Sequence, residues 1–168
     1  YQGLFERIQE GIDAAAARDN SPLDGYMRGT RALALLDLGR AKEAIAEAEF
    51  VICGPYPRGI IRFTAQLALA RARIRLGLPD EGTLDEARAL PTARRDIMRL
   101  APLAVVDAEA HWLGAPRSGA LEALRAAFDA TLPTQGQRWA LAEIALWLKL
   151  LGEEVNLSAE DLSRLPPA

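Results

Sequence analysis

LLDLGRAKEAIAEAEF, residues 35–50, decides how the rest of the chain is read. A Leu-Gly pair, Leu38-Gly39, leads directly into an alanine-rich run in which Ala44, Ile45, Ala48 and Val51 recur at helical spacing, so the stretch reads as a helix end, a turn and a new amphipathic helix. The pair returns at Leu76-Gly77, Leu113-Gly114 and Leu151-Gly152, and the four glycines stand 38, 37 and 38 residues apart. A period in this range marks stacked repeats. A small residue precedes each glycine by six or seven positions: Ala32, Ala70, Ala108 and Ala145. Glycine suits the close of a helix because it takes up the left-handed conformation at little cost.

Working outward, the spacing predicts a first helix over 2–18, with Leu4, Phe5, Ile8 and Ile12 on its apolar face. A second runs from Ser21, read as the N-cap, to Leu38, with Pro22 in its first turn and Asp24 at the positive end of its dipole. Further helices are predicted over 41–53, 59–76, 83–90, 94–113, 118–131 and 134–151. A short ninth follows Ser158, where SAED forms a capping box. The expected fold is all-α: a right-handed superhelix of antiparallel helix pairs, about eight or nine helices in all. It forms one domain over 1–168, with repeats near 23–57, 58–91, 94–131 and 134–152 and then a tail. A lone helix pair leaves an apolar face that the next pair covers.

Composition agrees. Half the residues are hydrophobic but only 6% are aromatic, and Ala, Leu, Arg and Glu, all good helix formers, dominate. The net charge of −3 lacks the basic excess of a nucleic-acid binder. The single cysteine, Cys53, forms no internal disulfide and is read as a buried structural thiol of a reducing, cytoplasmic compartment. No secretory leader is recognised and no apolar run is long enough to span a bilayer. The chain starts at Tyr1, at once in helix, and is read as a piece of a longer protein.

The segment ALALLDLGRAKEAIAEAEFVI, 32–52, resembles a tetratricopeptide repeat through Ala32, Leu35, Gly39 and Glu43-Ala44. LGLPDEGTLDEA and LGAPRSGALEA keep the pattern with longer turns, and the fourth repeat carries helix A only. RDNSPLDGYMRGTRALALLDLGRAKEAIAEAEFVI, RLAPLAVVDAEAHWLG and WALAEIALWLKLLG together resemble the helical-repeat region of large bacterial LuxR-type transcription regulators. In those, an ATP-binding domain precedes the repeats and a helix-turn-helix domain follows. The resemblance implies a non-catalytic docking or signal-relay module, with a small-molecule sensor whose pocket lies in the concave groove as the alternative. The repeat register carries Tyr26, Leu33, Asp37, Arg71, Arg75, His111, Glu143 and Lys149 onto the concave surface, where a protein or peptide partner would lie.

Chemistry is sparse. One His and one Cys cannot build a zinc cluster. GAPRSGAL lacks the Lys-Ser/Thr of a phosphate loop. His111 and Ser118 stand across a turn with no orienting acid. No catalytic residue, metal or cofactor is therefore expected, and no nucleic-acid or membrane partner. Acidic pairs such as Asp80-Glu81, Glu153-Glu154 and Glu160-Asp161 read as helix-end solvation. Arg71, Arg73, Arg75, Arg94, Arg95 and Arg99 read first as a solvated or ion-paired face. Trp112, Trp139 and Trp147 read as core, although Trp139 and Trp147 share a side of the last long helix with Leu150 and Leu151. Part of that side is expected to lie open, giving a route to a homodimer through the C-terminal end.

Overall fold

The computed structural model describes residues 2–57, 59–80, 82–89, 96–115, 118–132 and 138–155. Among these the chain is all-helical, with no strand: α1 Gln2–Ala16, α2 Ser21–Asp37, α3 Ala41–Cys53, α4 Ile60–Arg75, α5 Thr83–Ala89, α6 Ile97–Trp112, α7 Ala120–Thr131 and α8 Arg138–Leu150. The expected ninth helix, its capping box, and Glu81, Arg94 and Arg95 lie outside the described residues.

Each Leu-Gly pair closes a helix with the same two hydrogen bonds. Gly39 N–H donates to Leu36 O (3.0 Å) and Arg40 N–H to Leu35 O (2.9 Å). The pairs Gly77 to Ile74 with Leu78 to Arg73, Gly114 to His111 with Ala115 to Ala110, and Gly152 to Lys149 with Glu153 to Leu148 repeat it. This is the Schellman closure, which satisfies carbonyls that the helix end leaves orphaned. The four glycines have φ between 66° and 85°. The first helix ends in the same way without a glycine. Asp19 N–H donates to Ala16 O, Asn20 N–H to Ala15 O, and Asp19 has φ 50°. One expectation is corrected at this turn. The N-cap of α2 is Asn20, whose side chain accepts from Leu23 N–H at 3.2 Å, and Ser21 is already helical.

The chain divides into two compact units, residues 1–91 and 92–168. In the first, α2 packs against α1, α3 and α4, and α4 also packs against α3 and α5. Its core joins Ala32, Leu35 and Leu36 of α2 to Ala44, Ala48 and Val51 of α3 and to Ala65, Ala68, Leu69 and Ala72 of α4. Ile8 and Ile12 of α1 are buried against Ala34, whereas Leu4, expected on the apolar face, is exposed. In the second, α6, α7 and α8 pack pairwise around Ala101, Val105, Ala108, Leu124, Ile144 and Leu148. The small residues picked out by the repeat, Ala32, Ala70, Ala108 and Ala145, are all buried. With no side chain beyond Cβ at these points, helices close up and larger neighbours interlock around them.

Candidate functional site

In the first unit the richest polar arrangement joins α2 to α3. Arg28 sits between Asp24 (Nε–Oδ2 2.9 Å) and Glu47 (Nη1–Oε1 3.2 Å), and Arg31 also reaches Glu47 (2.6 Å). Arg31 donates in addition to Gln9 of α1 at 3.0 Å. The Tyr56 hydroxyl donates to Asp24, and the Arg28 guanidinium lies 4.7 Å from the centre of the Phe50 ring. Burial pulls the Arg28 guanidinium down, but its hydrogen bonds and charge contacts with Asp24 and Glu47 outweigh that and hold it above the ordinary arginine value. Burial first, then the bond to Asp24, lifts the Tyr56 phenol above the usual tyrosine value, partly offset by Arg28. Each group here is satisfied by another, so the cluster acts as a clamp between helices. The Asp24/Arg28 spacing of four is the signal for it in the sequence.

The expected groove residues of this unit meet only in part. Arg75 Nη1 donates to Leu36 O at 2.9 Å, which brings the end of α4 to the end of α2, next to exposed Asp37. Arg75 thereby covers a helix C-terminus, where a cation is favoured. Arg71 lies one turn earlier and is half-buried. Tyr26, 45% exposed, stands about 16 Å from Asp37 along α2. Leu33, between them, is half-buried against the core. Arg73 pairs with Glu49 (3.3 Å) and donates to Asp80 O, as the ion-paired reading expected. An open depression of about 280 Å³ lies at the turn itself, lined by Gly39, Arg40, Ala41, Lys42, Glu43 and Leu76. Arg40 and Glu43 bond each other there at 2.6 and 2.7 Å. The pair holds the Glu43 carboxyl below its ordinary value.

In the second unit His111 and Lys149 are exposed at the ends of α6 and α8, and Glu143 is half-buried. Arg99, expected on a solvated or ion-paired face, is buried and engaged within the molecule. Trp112, read as core, departs from expectation, whereas Trp139 lies on the side expected to be partly open. Trp112 and Trp139 are 55% and 47% exposed, and only Trp147 and Leu151 turn toward the core. Trp147 meets the Trp112 ring edge-on, centroids 6.4 Å apart. The open side of α8 is instead Trp139, Leu146 and Leu150, with Leu146 the most exposed at 56%. The side expected to lie open includes Trp139 and Leu150 but not Leu146. Cys53, expected buried, is an exposed free thiol.

Among the described residues no three His, Cys, Asp or Glu side chains are grouped as metal ligands, and no helix is long and apolar enough to cross a membrane. Comparison with family models, with curated proteins and with solved structures yields no match.

Proposed function

We propose that the chain is a non-catalytic interaction module, a tetratricopeptide-like array within a multidomain bacterial transcription regulator of the LuxR type. There it docks a partner or relays a signal between domains. One observation carries the docking role. Large apolar side chains stand open on the faces of α2 and α8: Tyr26, Trp139, Leu146 and Leu150, each between 45% and 56% exposed. The three on α8 share one face, and grouped exposed apolar side chains mark interaction surfaces. The exposed thiol of Cys53 fits a reducing compartment and supports a cytoplasmic placement.

The test is the intact mass of the native polypeptide that contains this segment, measured from source cells. A mass several times 18.2 kDa supports a module of a large regulator. A mass near 18.2 kDa sinks the multidomain reading. A thermal shift produced by one metabolite class, with no protein partner, would instead favour a small-molecule sensor.

A further inference from the structure

We propose that the outward face of α8 is a docking surface for an acidic amphipathic helix. The inference rests on the docking role proposed above and names the chemistry of the partner. Trp139, Leu146 and Leu150 fall within about 40° of arc on the helix, at spacings of seven and four. That is the seam against which a second helix lays its own apolar residues. All three side chains are about half exposed.

The borders of the stripe differ in chemistry. Along one edge stand Arg138 and Lys149, both exposed, and neither is drawn into a hydrogen bond or ion pair among the described residues. Along the other lie Trp147, braced by Trp112, and Glu143, which is already engaged within the molecule. Glu153 is paired with Arg125, and exposed Glu154 lies past the helix end. The charge available beside the stripe is thus positive. A partner helix with leucines at three- and four-residue spacing and Asp or Glu along one flank buries the stripe and meets both cations. A second copy packed antiparallel sets the Arg138–Lys149 edge against itself, so like charges oppose that arrangement.

The experiment titrates two synthetic helical peptides of identical leucine spacing, one flanked by Glu and one by Lys, into the 168-residue chain. All three tryptophans of the chain, Trp112, Trp139 and Trp147, lie in this unit, so their emission reports on the face. The acidic peptide is expected to shift the emission to the blue and to saturate, more weakly as salt rises. Reversing the edge with Arg138→Glu and Lys149→Glu is expected to weaken it about tenfold and to favour the basic peptide. Leu146→Asp, with helicity checked by circular dichroism, is expected to remove binding of both. Equal binding of the two peptides, or none, overturns the proposal. So does a concentration-dependent dimer broken by Leu146→Asp, which gives the face to a second copy. Acidic-peptide binding that requires removal of residues 156–168 gives the face to the chain's own C-terminal segment and likewise overturns it. A large native polypeptide with no peptide bound here would leave the docking role standing and remove this face from it.

Discussion

Asp19 holds a conformation that four glycines hold elsewhere in the chain. Its φ of 50° closes α1 through the hydrogen bonds that Gly39, Gly77, Gly114 and Gly152 make after α2, α4, α6 and α8. An L-residue other than Gly pays about 1 kcal/mol for the left-handed region, less for Asp and Asn than for most. Asp19→Gly is therefore expected to raise stability by about 0.5 kcal/mol, and Gly39→Ala to lower it by about 1 kcal/mol, both read from chemical denaturation. A Cβ at Gly39 meets nothing within 4 Å, so that cost is conformational alone. Tyr56→Phe tests the clamp between α2 and α3. It keeps the ring packing and removes the bond to Asp24, at an expected loss of about 1–2 kcal/mol near neutral pH. The sign of the pH dependence follows from the raised phenol. The folded state holds this proton more tightly than the unfolded chain does. Its contribution is full below the ordinary tyrosine value of about 10 and falls away as pH rises through the folded value. The Phe variant should lose that alkaline component of the stability profile, and a wild-type profile identical to it would contradict the account.

Between elements, the close approach of α2 and α4 depends on two glycines inside α2. A Cβ at Gly25 would lie 2.7 Å from Tyr56 Cδ1 and 2.8 Å from Ile61 Cγ2, and one at Gly29 would lie 3.2 Å from Thr64 Cβ and 3.3 Å from Ala65 N. Ordinarily Gly→Ala favours a helix by about 1 kcal/mol. Here overpacking wins, and Gly25→Ala is expected to destabilise by about 1–3 kcal/mol, with Gly29→Ala milder because its neighbours are less tight. Thermal unfolding of the two variants gives the order directly. Helix positions themselves were legible: the apolar period and the Leu-Gly punctuation located eight helices, α3 to the residue. Asn20 and Ser21 are both good N-caps, and Pro22 suits either register, so propensity alone could not choose between them. The glycines within α2 were not legible as contacts, since only the approach of a distant segment gives them a reason.

For the molecule, periodicity identifies which residues share a face but not which face has a neighbour. Trp139 and Trp147, eight apart, looked like one surface, whereas the packing of α8 on α6 and α7 takes Trp147 and leaves Trp139 with Leu146 and Leu150. The same limit made Trp112 and Cys53 look buried. Register alone places polar residues on the groove, and it does not reveal that Arg75 also bonds the end of α2. Photo-crosslinking in source cells reads out whether α8 presents a surface for another polypeptide. A benzophenone side chain is placed at position 146, with one at position 42 as the control, and the linked peptide is sequenced by mass spectrometry. A polypeptide adduct is expected at 146 only, its linked segment rich in leucine and in Asp or Glu, with its yield falling about tenfold when Arg138 and Lys149 are both changed to Glu. An adduct whose linked segment is rich in Lys or Arg, or no polypeptide adduct at 146 at all, would contradict that expectation.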